Sequence, residues 1–496
     1  MAIKHGVFVY ENDTALTAPI LADNAVQVVV GAAPVWMLDD PDAVTNVPIL
    51  CNSATEAMEK LGYVDDFAKY GLCQTMYLTA NVMPVGPVVY INILDVNAGM
   101  KTSDSMTVDD DNIPSVIVVT DSAGAIKSSI KVSRPIATET AQETVYTAGS
   151  DYTVEYMSDG NFKLNILSTG RIHSGAGQNL VISYSRVNYT AGATEAAVIG
   201  SYNATTGKST GIQLIDSVYP KLGVVPGILL APGFSHLPAV GVALSAKASS
   251  ISGVFKAIAV LDINTATAKT YTQVKTVKEQ SGFTSPFCYP VWLSYKVGDY
   301  IFDGSAVAAA AMAYNDARNG NIPSRTPSNK LIGVSGTCLA DGTEVILTQD
   351  QATIVNSYGV ATAINMSGWR LWGSYTGAYP TTTDVKDMWL PVRRMFNWQA
   401  NTFILTYFSK VDDPLNHILI ESVVDSENIR CAAYTPDVWA GAEIQYLRSD
   451  NPITDVLAGK IVFRQKIAPY TPAQEIDNIL SYDTSMLANS LAGLAG

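Results

Sequence analysis

The sequence is poor in charge and in the residue types that form metal and redox sites. Only 15% of its 496 residues are charged while 48% are hydrophobic, which is little charge for a free monomer and favours a surface covered by partner chains. Its four histidines are scattered and no HExxH pattern occurs, so we expect neither a metal site nor another cofactor. The five cysteines are widely spaced without a CxxC pair, which predicts buried free thiols.

Basic residues are also in the minority, with 31 Lys and Arg against 45 Asp and Glu and a net charge of −14. The acidic residues are dispersed, so the sequence predicts no direct nucleic-acid partner. The start MAIKHGVFVYEND lacks the basic and apolar regions of a secretory signal, which predicts synthesis and folding in the cytoplasm. The uncharged stretch from Leu222 to Ala246 is interrupted by prolines and glycines. We therefore predict a strand, a loop and a helix from Pro238 to Ser249 instead of a membrane span.

Two kinds of sequence pattern divide the chain. Before residue 97 and after residue 197, apolar strands alternate with helices, which predicts an α/β domain with a mixed sheet and flanking helices. Between these parts, runs such as DYTVEYM alternate with period two, which predicts an all-β sandwich-like domain inserted into the α/β domain. The predicted boundaries are an N-terminal arm at 1–30, the α/β core at 31–96 and 198–468, the inserted β domain at 97–197 and a C-terminal arm at 469–496.

Two of the predicted helices carry residues of interest. Ser305 is expected to cap a helix over 306–319, and an apolar stripe predicts a long helix over 384–409. Arg393 and Arg394 lie early in that long helix, where basic side chains oppose the helix dipole. This placement predicts a specific acidic partner for both arginines.

Motifs for catalysis are weak. The run NATTGKST at 203–210 is similar to a P-loop, but Tyr202 stands where the first glycine is required, so a polar loop is favoured. Ser235 and His236 follow a strand and precede a helix, a location where α/β enzymes often bind ligands. The G-x-S-x-G pattern is missing because Leu237 replaces its second glycine. A helix-capping serine beside a surface histidine is favoured, and an α/β enzyme with a site at this pair stays an alternative.

The C-terminal end has a strand followed by an arm. In the run KIVFRQKIA at 460–468, Phe463 and Ile467 share one face while Arg464 and Lys466 share the other, which predicts a half-buried strand. The sequence APYTP then bars a regular continuation, so the chain leaves in extended form. An extended arm of this kind can add a strand to the sheet edge of a neighbouring subunit.

The N-terminal run GVFVYEND can likewise add a strand to the sheet of a neighbouring subunit. We therefore take apolar residues of both arms as candidates for contact between subunits, and prolines near the arms as hinges. The contact candidates are Val7, Phe8, Val9, Ile476, Ile479, Leu480 and Tyr482, and the hinge candidates are Pro19, Pro469 and Pro472.

Several segments in succession resemble one known family, the contractile tail sheath proteins of bacteriophages and related injection machines. They are GVFVYENDTALTAPILADNAVQVVVGAAP at 6–34, TAGSDYTVEY and LSTGRIHSGAGQNLVISYS in the β region, GILLAPGFSH, RTPSNKLIGV, GWRLWGSYT, VRRMF, and NPITDVLAGKIVFRQKIAPYTPAQEI at 451–476. The resemblance covers nearly the whole chain in the expected order. The segment after Ile476 departs from the family because it is longer and more helix-prone than a bare strand.

This resemblance implies a structural subunit without catalytic activity. It implies sixfold rings stacked around an inner tail tube, arms that complete a sheet on another subunit, and a contraction that drives the tube through the host envelope. The implied partners are further copies of the chain, the tube protein, and baseplate and tail terminator proteins, with no membrane insertion. Assembly would take place in the bacterial cytoplasm, and the product would be part of the virion tail. A phage-derived contractile injection system or tailocin stays an alternative.

The resemblance also orients the parts of the subunit. It places the inserted β domain on the outside of the sheath. It makes the part of the core after about residue 380 an inner subdomain. Arg393 and Arg394 of that part become candidates for contact with the tube or with another subunit.

Overall fold

The computed structural model describes residues 21–135 and 143–492. The arm candidates Val7, Phe8 and Val9 and the hinge candidate Pro19 lie outside the described residues. The strands are β1 Gln27–Gly31, β2 Pro48–Cys51, β3 Val88–Asn92, β4 Thr102–Val108, β5 Val116–Val119, β6 Lys131–Arg134, β7 Thr144–Tyr146, β8 Tyr152–Tyr156, β9 Phe162–Ile166, β10 Leu180–Arg186, β11 Tyr202–Asn203, β12 Lys208–Ser209, β13 Ile228–Leu230, β14 Ile258–Asp262, β15 Cys288–Val291, β16 Ser294–Val297, β17 Tyr300–Phe302, β18 Gly336–Cys338, β19 Thr362–Asn365, β20 Trp369–Trp372, β21 Trp439–Tyr446 and β22 Phe463–Pro469. The α-helices are α1 Ala54–Leu61, α2 Gly71–Asn81, α3 Tyr189–Gly192, α4 Glu195–Ile199, α5 Val218–Leu222, α6 Pro238–Ser249, α7 Val274–Ser281, α8 Gly304–Ala317, α9 Gln349–Ser357, α10 Val385–Met388, α11 Leu390–Tyr407, α12 His417–Ala433, α13 Ile453–Leu457 and α14 Thr484–Ala492.

The largest sheet has six strands in the order β15-β14-β13-β1-β3-β2. All neighbours are parallel except β2, which pairs antiparallel with β3. The parallel strands are nearly continuous apolar runs and are buried along their length, as expected for a parallel sheet that is covered on both faces. Helices α2, α6 and α8 pack against it. The prediction of a mixed α/β fold is confirmed.

Strand β1 lies in the middle of this sheet, where Gln27 faces Ile228 of β13 on one side and Val88 of β3 on the other. The predicted boundary of the N-terminal arm at residue 30 therefore falls inside a core strand. The reason is the run QVVVG, whose residues are all buried. The ordered core begins well before residue 30.

Strands β4 to β10 form two antiparallel sheets with the orders β4-β10-β6-β7 and β5-β9-β8. Side chains from both sheets, among them Val132, Phe162 and Ile182, meet in one apolar cluster that is separate from the core of the α/β sheet. The strands of the large sheet that come before and after this region in sequence, β3 and β13, both pair with β1. Trp36 and Tyr156 link the two regions, with ring centroids 5.2 Å apart.

The stretch that lacks charge folds as the sequence predicts, with β13, a loop and helix α6 at Pro238–Ser249. Among the described residues, no helix has the length and apolarity to cross a bilayer. The cap predicted at Ser305 is wrong, because helix α8 begins at Gly304 with Asp303 as its N-cap residue. Ser305 instead uses its backbone N–H and its hydroxyl to donate to the carboxylate of Asp262.

The long predicted helix is divided in two. Trp389 has an extended backbone between α10 and α11, and Pro391 occupies the first turn of α11, where proline is favoured because it needs no backbone donor. Helix α11 is largely buried and connects two parts of the molecule. Asn397 donates to the carbonyl of Ala257 beside the large sheet at 3.0 Å, while Trp398 packs in a third apolar cluster with Trp439 of β21.

Candidate assembly interface

Strands β21 and β22 form an antiparallel ribbon at the surface of the C-terminal part. Within the described part of the chain the ribbon has two strands. The outer edge of β21 is occupied at Ile444, whose backbone N–H donates to the side chain of Asn428 on α12 at 2.9 Å and whose carbonyl accepts from it at 3.1 Å. The outer edge of β22 has no strand partner in that part of the chain. Along β22, Arg464 and Lys466 are exposed while Phe463, Gln465 and Ile467 are partly buried. The alternation predicted for this strand is confirmed.

A buried polar network anchors β22 from beneath. The carboxylate of Glu427 on α12 accepts from Gln465 of β22 at 2.8 Å, from Gln399 of α11 at 2.6 Å and from Nε of Arg430 at 3.1 Å. The hydroxyl of Tyr407 donates to it at 3.2 Å. Burial alone would raise the pKa of Glu427, but the bonds and charge of Arg430 and the bonds from Gln465 and Gln399 together outweigh burial and lower the pKa. The network thus holds a charged pair that ties β22 to two helices.

The ribbon ends at Pro469, which lies opposite Trp439 in the last position of β22. Proline can stand there because the ladder ends and no further N–H is required. The chain continues without regular structure until α14. The exposed fractions of the predicted contact residues are 86% for Ile476, 89% for Ile479, 87% for Leu480 and 77% for Tyr482. Monomeric proteins rarely expose a continuous apolar segment of this kind.

The base of the arm contacts its own subunit, and the arm beyond it is exposed. The hydroxyl of Tyr375 donates to Oε1 of Gln474 at 2.6 Å. The ring of Tyr375 is stacked on Tyr379 at 3.8 Å and on Trp389 at 4.5 Å between centroids. The sequence gives no signal for this contact, because Tyr375 and Gln474 lie 99 residues apart in the chain.

Arg393 and Arg394 have the acidic partners that the sequence predicts, but both partners lie inside the subunit. Nη1 of Arg393 donates to Asp387 at 3.0 Å, and Arg394, which is 1% exposed, donates through both terminal nitrogens to Asp316 of α8. This corrects their prediction as contact residues, since a buried, paired guanidinium presents no surface to a tube or a neighbouring subunit. Burial raises the pKa of Asp316 despite the bonds from Arg394.

Ser235 and His236 are not arranged as a nucleophile and its base. Ser235 is fully buried and its hydroxyl donates to the carboxylate of Asp262, and the N-cap residue of α6 is Leu237, so the predicted helix-cap role of Ser235 is also wrong. His236 lines a cleft of about 380 Å³ at the end of β14, and burial lowers its pKa. Burial, with the nearby charge of Asp303, raises the pKa of Asp262 to about 7.

Within the described ranges, no group of three or more histidine, cysteine or acidic side chains could hold a metal ion. All five cysteines are free and buried, as the sequence predicts. Burial raises the pKa of each thiol.

Known proteins resemble the chain over its whole length. The tail sheath protein of Burkholderia phage BcepMu is 26% identical over 515 residues, which cover 99% of this chain and 98% of that protein. A putative prophage major tail sheath protein of Pseudomonas aeruginosa is 33% identical over 187 residues, 36% of this chain and 46% of that protein. No model of a protein family matches.

Among solved structures, the sheath complex of PVC, an extracellular contractile injection system, in its contracted state matches with a TM-score of 0.56 and 13% identity. The match covers 98% of this chain and 99% of that one. At this identity the likeness concerns the fold. Together with the sequence relatives, it confirms the resemblance to contractile tail sheath proteins.

Proposed function

We propose that this chain, which is similar to the tail sheath protein of phage BcepMu over 98% of that protein, is the structural subunit of a contractile tail sheath. The observation that carries the proposal is the C-terminal arm. It presents large apolar side chains to solvent beside a two-stranded ribbon in which the outer edge of β22 has no strand partner among the described residues. A subunit built in this way is incomplete until further copies cover these surfaces.

The ribbon and the arm are complementary parts of one contact. The arm of each subunit adds a strand to the open edge of β22 on a neighbour, where main-chain hydrogen bonds give affinity and alternate side chains give register. Ile476, Ile479, Leu480 and Tyr482 are then covered. The N-terminal residues Val7, Phe8 and Val9 make a corresponding contact, with Pro19 as their hinge.

Head-to-tail contacts that do not close generate a helical assembly. We infer stacked sixfold rings around an inner tail tube, with the β domain at 97–197 on the outside and the part after about residue 380 towards the tube. The rigid domains turn during contraction while the exchanged strands stay paired. No hydrolysis is needed, because the free energy is stored in the extended lattice. The contraction drives the tube through the host envelope for genome delivery.

The further partners are the tube protein, a baseplate and a tail terminator. The similarity to a protein of a prophage baseplate structure, with a TM-score of 0.55 and 14% identity over 98% of this chain and 100% of that one, supports the baseplate as a partner. Assembly takes place in the bacterial cytoplasm, and the sheath becomes part of the virion tail. A phage-derived injection system or tailocin is the second candidate, because the same solved structures come from such machines.

The geometry disfavours the enzyme alternative. Because Ser235 is buried and bound to Asp262, its hydroxyl is neither accessible to a substrate nor activated by His236. The substitutions Ser235→Ala and His236→Ala therefore should leave assembly intact, whereas an enzyme with this site would lose its activity.

Deletion of residues 470–496 tests the proposal. The described part of this segment makes few contacts within its own subunit, so we expect a folded, soluble protein whose circular dichroism spectrum loses only the small contribution of α14. Negative-stain microscopy of the full chain should show tubes with a cogwheel cross-section, and the truncated chain should give none. Tubes formed by the truncated chain would refute the exchange of the C-terminal arm.

A further inference from the structure

The base of the C-terminal arm differs from the rest of the arm. Residues 472–475, with the sequence PAQE, form one wall of a cleft of about 520 Å³ whose other side includes Thr326, Ser328, Thr353 and Trp372. Most of these side chains are polar, as are two of the four arm residues. From Ile476 the arm carries apolar side chains that are largely exposed, namely Ile476, Ile479, Leu480 and Tyr482.

The side chain that binds the base of the arm, Tyr375, is held in place by residues outside the arm. Tyr375 lies between two other rings, nearly parallel to both, with interplanar angles of 5° to Tyr379 and 22° to Trp389. The backbone N–H of Leu390 donates to the carbonyl of Ser374 at 2.8 Å, which fixes the segment that carries the ring of Tyr375. A side chain that is already immobilised loses little rotamer freedom when its hydroxyl binds Gln474.

We propose that residues 472–475 stay on their own subunit as a strap, and that the segment exchanged with a neighbour begins at Ile476. The inference rests on the proposed exchange of arms and sets its limit. The strap directs the arm away from the ribbon along the cleft, and the flexible point lies after Glu475. Pro469, which ends β22, and Pro472, the partly buried first residue of the strap, then stay fixed when the subunits turn.

Crosslinking in a sheath assembled from subunits with different isotope labels tests whether the strap lies on its own subunit or on a neighbour. Thr353→Cys and Ala473→Cys place two thiols on opposite sides of the cleft without removing Tyr375 or Gln474. The five native cysteines are buried and have raised pKa values, so a bismaleimide reagent selects the new pair. Equal amounts of ¹⁴N- and ¹⁵N-labelled variant are mixed, assembled, crosslinked and digested for mass spectrometry.

We expect the peptides joined through positions 353 and 473 to carry a single label. A photoreactive residue at Leu480 in the same mixture should give as many mixed-label as single-label products. Mixed-label products at the 353–473 pair would overturn the strap. If the wild-type chain forms no sheath, or the Leu480 products also carry a single label, the proposed exchange fails and the strap with it.

A second measurement uses the unassembled subunit and does not depend on the engineered thiols. A glutamate-specific protease cleaves after Glu475, and the strap protects that bond. Tyr375→Phe removes only the hydroxyl and should speed this cleavage about fivefold, which corresponds to a hydrogen bond worth about 1 kcal/mol. The matched variant Tyr482→Phe, in the exposed part of the arm, should leave the rate unchanged. An unchanged rate in Tyr375→Phe would show that this bond does not hold the arm.

Discussion

The side-chain amide of Gln465 on β22 lies 2.8 Å from the carboxylate of Glu427 on α12. Glu427 is fully buried, and Arg430 beside it is 5% exposed. The strand that presents the open edge is therefore fixed to the helices by a charged, desolvated pair. Removing one partner of such a pair strongly lowers the free energy of unfolding, because the other partner is left buried without a counter-charge.

Glu427→Gln tests this anchor. The substitution leaves the Arg430 guanidinium buried without an anion, so we expect a loss of about 3–5 kcal/mol in the free energy of unfolding. Hydrogen exchange measured by mass spectrometry should increase most in the peptide 461–469. Glu443→Gln is the matched control, since Glu443 is exposed and pairs with Lys466 at 3.4 Å; it should cost no more than about 1 kcal/mol. Equal effects of the two substitutions would contradict the role of the network.

The buried pair of Arg394 and Asp316 predicts a non-additive response. Arg394→Met should cost about 3–5 kcal/mol because Asp316 then has no cation. Adding Asp316→Asn should recover a large part of that loss, since the buried charge is removed as well. Denaturant unfolding of the four proteins of this cycle measures the coupling. Additive losses would mean that the two side chains do not interact in solution, and the arginine would again become a candidate for contact with a partner.

The raised pKa of Asp262 predicts that the stability of the folded protein falls as the pH rises. Its pKa in the folded protein is raised from 3.8 to about 7, so between these values the folded state keeps a proton that the unfolded state has lost. The unfolded state then binds fewer protons, and the free energy of unfolding decreases from about pH 4 to about pH 7. Thermal unfolding of Asp262→Asn should lack this component of the pH dependence. An unaltered pH profile in the variant would show that Asp262 does not hold its proton in this range.

Local pattern predicts the elements of this fold better than it predicts the contacts between them. The alternation along β22 and the helix at Pro238–Ser249 follow from periodicity and from proline at a first helical turn. The acidic partner of Arg394 is Asp316, 78 residues earlier in the chain, and nothing in the local sequence marks it. Ser305 was expected to cap a helix because its residue type favours that position, but a buried carboxylate competes for its donors.

The candidate interface shows the same division. The exposed apolar arm is readable from the sequence, since prolines bar a regular ladder and the following residues have no apolar partner nearby. The anchor between Gln465 and Glu427 and the bond from Tyr375 to Gln474 are not readable from the sequence, because their partners lie 38 and 99 residues apart. The resemblance to tail sheath proteins supplies the expected function, while the positions that hold and release the arm come from the folded chain.

Assembly of two charge-matched arm variants tests the central claim most directly. Ile479→Asp with Leu480→Asp adds two carboxylates at apolar positions of the arm, and Asn478→Asp with Ser481→Asp adds two at neighbouring polar positions. Sedimentation and negative-stain microscopy should show sheath-like tubes for the wild type and for the polar-position variant, and soluble subunits for the apolar-position variant. Tubes of equal length and yield from both variants would contradict the claim that the apolar side chains of the arm hold one subunit to the next.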